Sequence, residues 1–349
     1  MPALRTPAAL LAAAVAAAGC QSPAERPAPA AAVVFADAGA ETRTWFVQPL
    51  VAGAAPRPLG LPGSLGNLQT APAAGLAAAT LGTEGRGSAE LRLWKLGAEA
   101  PEAGRRLAAE WAWDFSLAAD GTAIAWIAGA PQRQLWVARA PNWLPVTPVL
   151  PAGASAGEPR WLDSRRLAVV LRRGETRELA VLAAPDGTVV TLHRAPAGTD
   201  LSDAVAVPGS AEVLVVESRD GDAPGRLLSL AAGGAEPRVL AEGFFQPRTL
   251  RVSPDGRHIG VVTGADAAAL RRREAAFRWI GPAWPGLPTV VLGVTAAEWS
   301  ADGRHLFVAR QDGGRRWLEA YDARTPGFAL PLGTPAAQAV SPQPWLLVP

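Results

Sequence analysis

One pentapeptide in this 349-residue chain has the residue pattern of a catalytic serine. Residues 153–157 read Gly-Ala-Ser-Ala-Gly, the G-x-S-x-G pattern in which a strained turn between a strand and a helix exposes a nucleophilic hydroxyl. Pro151 and Pro159 flank this copy, which indicates a loop between repeats rather than a strand-turn-helix. We therefore do not assign Ser155 as a nucleophile.

The three histidines of the chain, His193, His258 and His305, are the other residues that could act in acid–base or metal chemistry. His258 and His305 each follow an Asp-Gly-Arg turn, so a structural repeat accounts for their recurrence. The sequence contains no zinc-ligand spacing, P-loop, dinucleotide fingerprint or EF-hand loop. We expect no catalytic residue, no metal and no cofactor, and a binding module rather than an enzyme.

A basic insertion at residues 265–274 is the candidate interaction site, because inserted loops carry function more often than the scaffold that bears them. We expect a helical turn there, with exposed aromatic residues nearby; the alternative is a solvated basic loop. The residues assigned to the site are Leu270, Arg271, Arg272, Arg273, Phe277 and Trp284.

The amino terminus has the layout of an export signal. Residues 1–19 carry one positive charge at Arg5, then an apolar run over 8–18, too short to span a bilayer. Ala17-Ala18-Gly19-Cys20 resembles the lipobox of bacterial lipoproteins, which implies that the thiol of Cys20, the sole cysteine, is acylated. The Pro- and Ala-rich residues 20–31 then form a tether. A plain secreted protein is the alternative.

Composition excludes some partners. The formal net charge is only +2, and 49% of the residues are hydrophobic, so no strong field for nucleic acid is present and a large core is affordable. We expect a monomer that reaches the membrane only through its amino-terminal lipid.

Turn residues recur along the chain at intervals of 43 to 47 residues: Gly75, Gly121, Ser164, Gly209, Gly256 and Gly303. Each turn precedes a short apolar strand and then an alternating one. This period predicts four-stranded β-propeller blades. Residues 32–349 thus form a single all-β propeller domain of seven blades, with six or eight as alternatives.

The two ends of the chain are predicted to share one blade. Residues 33–60 supply three strands without a first, and residues 339–344 (Ala-Val-Ser-Pro-Gln-Pro) mimic the first-strand segment Val-Ser-Pro-Asp-Gly at 252–256. A carboxyl-terminal strand that pairs with the amino-terminal unit closes the ring.

Residues 253–257 (Ser-Pro-Asp-Gly-Arg) and 300–304 (Ser-Ala-Asp-Gly-Arg) resemble the WD-like repeats of TolB-type periplasmic propellers, and residues 118–122 are a looser third copy. The resemblance implies the propeller architecture. TolB proteins act by binding other envelope proteins, whereas the same repeat also forms the non-catalytic half of some peptidases and occurs in many lipoproteins.

Three functions follow from these features. The first is a membrane-tethered extracytoplasmic binding or scaffolding module, whose partner is an envelope protein or a small ligand. The second is a propeller hydrolase or lyase with a site in the central channel, and the third is a mainly structural envelope lipoprotein. Three or more His, Asp, Glu or Arg side chains at one channel opening, with room for a small molecule, would favour the enzyme over the binder.

The lipid anchor is tested by Cys20→Ala. Because the variant lacks the thiol that is acylated, we expect it to leave the membrane fraction while the parent protein stays there. Fractionation of cells followed by immunoblotting measures the distribution. A variant that still fractionates with membranes would contradict the anchor.

Overall fold

The computed structural model describes part of the chain, and Cys20 with the predicted signal and most of the tether lies outside it. The described residues are 30–37, 44–50, 54–60, 65–82, 89–95, 104–108, 112, 114–129, 133–183, 187–219, 223–231, 236–272, 274–284, 287–313, 315–324, 329–332 and 339–347. None of the helices within these ranges has the length and apolar character needed to cross a membrane.

The strands of these ranges form six antiparallel sheets. One sheet joins the chain ends and contains β1 (Ala30–Asp37), β2 (Thr44–Pro49), β3 (Arg57–Pro58) and β27 (Ala339–Leu347), in the order β27–β1–β2–β3. The second contains β4 (Leu65–Ala71), β5 (Leu76–Gly82), β6 (Ala89–Lys95) and β7 (Arg105–Ala108). The third contains β8 (Asp114–Leu117), β9 (Ala123–Ala128) and β10 (Gln134–Arg139).

The remaining sheets follow in chain order. The fourth contains β11 (Ser155–Trp161), β12 (Arg166–Arg173), β13 (Thr176–Ala183) and β14 (Val189–Arg194). The fifth has eight strands: β15 (Thr199–Ala206), β16 (Glu212–Arg219), β17 (Gly225–Ala231), β18 (Arg238–Phe245), β19 (Arg251–Val252), β20 (Ile259–Gly264), β21 (Ala275–Ile280) and β22 (Val290–Leu292). The sixth contains β23 (Val294–Trp299), β24 (His305–Asp312), β25 (Arg315–Asp322) and β26 (Ala329–Leu332).

The prediction of four-stranded antiparallel sheets is confirmed, with two departures. A two-residue pairing between β18 and β20 joins two successive groups of four strands into the eight-stranded sheet. The third sheet has three strands in the described residues, followed by a single bridge between Val137 and Val146. The number of blades therefore stays a prediction.

Consecutive sheets cover each other's faces. In β12, Leu167, Val169 and Leu171 pack towards the third sheet, whereas Ala168 and Val170 pack towards the fifth. All five side chains are nearly inaccessible to water. The alternate residues of a strand point to opposite faces, so a strand that is covered on both sides needs an unbroken apolar run, as the sequence shows.

The predicted seam between the chain ends is present. β27 pairs antiparallel with β1, from Ala30 opposite Leu347 to Asp37 opposite Ala339. The inner strands β4, β8, β11, β15, β19 and β23 contact one another in succession, and β27 contacts both β23 and β4. The first and last strands thus complete a circle. β1 begins at Ala30, two residues before the predicted domain boundary.

One local prediction is wrong. Residues 153–159 were expected to form a loop, but Ser155 begins β11, where it lies opposite Arg172. Pro159 is accommodated because it lies in a bulge between Gly157 and Arg160, where the pairing with β12 is interrupted. A strand at this position still lacks the helix that a nucleophile elbow requires.

The turns that carry the repeat also pack against one another. Asp255 Oδ1 accepts a hydrogen bond from the Arg257 amide at 3.0 Å, and Gly256 has φ of 74°. A Cβ atom at Gly256 would lie 2.4 Å from the Pro208 carbonyl oxygen in the preceding turn. Glycine is required here both by the left-handed backbone and by the neighbouring chain.

A pair of alanine variants distinguishes the effect of the left-handed backbone from the effect of the close contact with the neighbouring turn. Gly209 has φ of 72° but nothing within 4 Å of its Cβ position. We expect Gly209→Ala to lower the free energy of unfolding by about 1 kcal/mol, from the left-handed backbone alone. Gly256→Ala adds the contact with Pro208 and should cost roughly 2 to 4 kcal/mol. Urea unfolding followed by tryptophan fluorescence measures both, and equal losses would contradict the close packing of turns.

Candidate functional site

A cavity of about 560 Å³ opens where the inner strands meet. Strands β4, β8, β11, β15, β19 and β23, with the loop before β19, contribute its lining. The charged lining residues are Asp114, Arg160, Asp203, Arg248, Arg251 and Glu298. Four of the sheets therefore deliver charged groups to one opening, in a volume within the usual range for small-molecule sites.

Asp114 is the centre of an ion-pair network. Its Oδ1 accepts a hydrogen bond from Arg160 Nη1 at 3.2 Å, and its Oδ2 lies 3.5 Å from Arg248 Nη2. Oδ2 is buried and has no hydrogen-bond partner among the described residues. The Arg248 side chain is about half exposed, so this guanidinium is free to exchange its contact with Asp114 for one with a ligand.

Two further carboxyl groups lie beside this network. Burial raises the pKa of Glu158 to about 7, against the opposing effect of Arg160, and the nearby Asp114 raises it further. Burial also raises the pKa of Asp203, although Arg251 and the Arg248 amide, which donates to Asp203 Oδ2 at 2.6 Å, act in the opposite direction. Glu158 thus exchanges a proton near neutral pH, as a general acid or base requires.

The backbone at the cavity is unusual. Glu158, Asp203 and Arg248 have φ of 49°, 57° and 68°, in the left-handed region that side chains normally avoid. Glu158 and Asp203 lie within the bulges of β11 and β15, where the register with the next strand shifts. Such strain is commonly found where a side chain is turned towards a functional site.

The rest of the cavity wall is held by polar contacts between sheets. Arg251 Nε lies 2.9 Å from Glu298 Oε2, although the angle is not that of a hydrogen bond. The Gln69 side chain donates to the Phe115 carbonyl at 2.7 Å and accepts from the Leu117 amide at 2.8 Å. These contacts position the charged groups on a rigid frame.

From the sequence, an active site in the channel required three or more charged side chains at one opening, with room for a small molecule. The cavity meets this condition, because Asp, Glu and Arg side chains converge there. None of them was among the predicted site residues. A signal was nevertheless present: Asp114, Glu158 and Asp203 each lie four residues before an equivalent turn residue, at Ala118, Leu162 and Val207. Alignment of the repeats on their turns would have shown this column of carboxylates.

The predicted interaction loop contains the expected helical turn, α1 (Ala267–Arg271), capped by the Asp266 carboxylate. Leu270 packs against the apolar core, while Arg271 and Arg272 are exposed. Arg272 pairs with Glu274 at 2.8 Å. Arg273 lies outside the described residues.

The two aromatic residues assigned to that loop differ in accessibility. Phe277 is only 1% exposed, within β21, so its inclusion in a contact surface is wrong: an inward position of a strand that is covered on both faces cannot touch a partner. Trp284 is half-buried, with its ring 4.7 Å from that of His258 and 4.8 Å from that of Trp299. Among the described residues, Arg271, Arg272 and the partly accessible Trp284 thus remain candidates for the interaction surface.

The histidines lie apart from the central cavity. His193 Nε2 is 2.9 Å from Glu217 Oε2, and His258 Nδ1 is 2.9 Å from the Pro282 carbonyl oxygen. Burial lowers the pKa of His305, whose nearest carboxylate, Asp322, is 4.0 Å away. In the described part of the chain, no three His, Cys, Asp or Glu side chains are grouped as metal ligands.

Comparison with known proteins gives structural neighbours only. No family model matches the sequence, and no curated protein does. An oligogalacturonate lyase in complex with manganese superposes with a TM-score of 0.59 at 12% identity, over 86% of this chain and 83% of the lyase. TolB from Acinetobacter baumannii superposes with a TM-score of 0.54 at 13% identity, over 89% of this chain and 82% of TolB.

A third neighbour is the β-propeller domain of the Trilobed protease from Pyrococcus furiosus, with a TM-score of 0.54 at 14% identity, over 77% of this chain and 84% of that domain. The fold is a TolB-like β-propeller. Because these neighbours include a lyase, a protease domain and TolB, the TolB-like propeller fold does not by itself select one function.

The environment of Glu158 makes the stability of the protein pH-dependent. With a pKa of about 7 in the folded protein against 4.5 as its ordinary value, this carboxyl group lowers stability as the pH rises through that interval. Glu158→Gln removes the ionisation. We expect the variant to match the parent at pH 5 and to exceed its free energy of unfolding by about 2 kcal/mol at pH 8.

Urea titrations at the two pH values measure this difference. Glu175→Gln, which removes an exposed carboxylate outside the cavity lining, is the control for the loss of one negative charge. A Glu158→Gln variant that gains nothing over the parent between pH 5 and pH 8 would exclude a raised pKa.

Proposed function

We propose that the chain is an exported, lipid-anchored propeller of the cell envelope that binds a small polar molecule in its central cavity. The observation that carries this proposal is the convergence of Asp114, Arg160, Asp203, Arg248 and Glu298 on one opening of about 560 Å³. Scaffolds that only bind proteins have no need of charged groups recessed in a channel, whose desolvation is costly.

The chemistry of the lining indicates the kind of ligand. Acidic and basic groups are interleaved, since the described lining contains three arginines and three carboxyl groups. Asp114 Oδ2 lacks a hydrogen-bond donor, and Arg248 is partly exposed beside it. A ligand that donates to Asp114 and presents an acidic group to Arg248 satisfies both.

Location in the envelope rests on the sequence. The export-type amino terminus, with its lipobox-like Cys20 and the Pro-rich residues that follow, supports a position outside the cytoplasm and a tether to a membrane. In the same proposal, the inserted loop that carries the exposed Arg271 and Arg272 contacts a partner protein of the envelope.

A second candidate function is a hydrolase or lyase that uses the same cavity, and the convergence of charged side chains meets the condition given above for favouring an enzyme. It is favoured by Glu158, whose pKa of about 7 suits proton transfer at neutral pH, and by the arginines that could hold an acidic substrate beside it. In this role Glu158 would take or supply the proton, and Arg160 and Arg248 would stabilise negative charge that develops on the substrate.

Ligand capture tests both functions. Purified protein is incubated with a small-molecule extract of the cell envelope, washed, denatured and examined by mass spectrometry. We expect the parent to retain at least one polar compound that Arg248→Gln retains at least about tenfold less, since a hydrogen bond between charged groups contributes roughly 1.5 to 3 kcal/mol. The matched control is Arg238→Gln, because Arg238 is an arginine outside the cavity lining whose side chain is more than half exposed.

The outcomes are distinct. If parent and Arg248→Gln retain the same compounds, the cavity does not bind a small molecule and the proposal fails. If the parent converts the retained compound on incubation and Glu158→Gln binds it without conversion, the enzyme is established in place of the binder.

A further inference from the structure

A second cavity, of about 520 Å³, lies away from the central channel, beside the three-stranded sheet. Its lining shares no residue with that of the central cavity. Other sheets have a longer fourth strand at this position. Here the chain after β10 instead runs as irregular structure through residues 140–154, with only the bridge between Val137 and Val146, and this leaves room for the cavity.

The wall of this cavity is mainly apolar, although Arg139, Asn142 and Thr147 also belong to it. Leu167 and Leu182 form a buried floor, whereas Leu144, Val146 and Val149 stand at the rim with exposed fractions of 66%, 59% and 84%. These three account for nearly half of the seven large hydrophobic residues exposed in the described part of the chain. Exposed apolar side chains that gather around one concavity mark a binding site rather than random surface.

Two hydrogen-bond donors within the cavity lining lack partners. The Arg139 guanidinium lies over the Trp161 ring at 5.0 Å and donates through Nη1 to the Ser164 carbonyl at 2.8 Å. Its other terminal nitrogen, Nη2, and Trp161 Nε1 are buried without an acceptor among the described residues. No described carboxylate lies within ion-pair distance of Arg139.

These features define the ligand by charge and shape. The unpaired guanidinium nitrogen and indole N–H require an acceptor, and the positive charge favours an anionic one. The apolar floor and rim require a hydrocarbon body. We propose that this cavity is a second, independent binding site for a free carboxylic acid with an unbranched apolar chain, of the class of the medium-chain fatty acids.

In this arrangement the carboxylate lies against Arg139 and Trp161, and the chain extends along Leu144 and Val149 towards solvent. The site uses the face of β11 opposite to the central channel, since Arg160 lines the central cavity and the adjacent Trp161 lines this one. Occupation of either site therefore leaves the other open.

Isothermal titration of the purified protein with octanoate tests the proposal, and octylammonium serves as the probe of opposite charge. We expect saturable binding of octanoate and at least tenfold weaker binding of octylammonium. Arg139→Gln should reduce the affinity for octanoate at least tenfold. Saturable binding that is equal for the two probes would overturn the acid specificity, and no saturable binding of octanoate would overturn the site.

A rim variant keeps the test independent of folding, because Arg139 also holds the Ser164 carbonyl. Val149→Asp places a negative charge beside the proposed path of the acid and should weaken octanoate binding about tenfold. Val239→Asp makes the same change at an exposed valine on β18, outside the cavity. If both aspartate variants bind octanoate as the parent does, the cavity is not the place where it binds.

Discussion

Every sheet of this protein has two apolar faces, and this constraint governs the rest of the structure. A strand such as β12 sends Leu167, Val169 and Leu171 to one neighbour and Ala168 and Val170 to the other. No sheet of that kind is stable alone, because one of its faces would remain in water. In a closed circle each sheet covers one face of both its neighbours, so every apolar face is buried. An open stack would leave the outer faces of its two end sheets in water.

The central cavity follows from the same geometry. Inner strands converge on the axis, and they bulge at Glu158 and Asp203, of which Asp203 lines the channel. Polar groups that would be expensive between two sheets are tolerated there because they pair with arginines of neighbouring strands. The fold can therefore hold charged side chains in the channel while the apolar layers between its sheets stay intact.

Much of the architecture was predictable from the sequence, for a physical reason. The turns with an Asp-Gly pair, such as Asp255-Gly256, depend on local chemistry, and the apolar runs after them depend on a burial pattern with period two. Both signals survive in a single sequence. The pairing of β27 with β1 was accessible too, because the first unit lacked a strand and the last segment supplied its pattern.

The site was not predictable in the same way. Asp114, Arg160 and Arg248 come from three different repeats, and their contacts depend on how the sheets are arranged around the axis, which no local pattern encodes. The raised pKa of Glu158 depends on burial and on Asp114, both tertiary properties. Phe277 shows the opposite error: its nearness in sequence to an exposed basic loop suggested a surface position, whereas strand alternation places it in the core.

The pairing of Ala30 with Leu347 joins residues from opposite ends of the chain, and it has a consequence for biosynthesis. β1 is made long before its partner β27, so the first-made sheet stays incomplete, with one edge of β1 unpaired, until β27 has been synthesised. Contacts of such long sequence separation form late and slowly. The growing chain therefore passes through a stage with an open β edge, which is exposed to pairing with other chains.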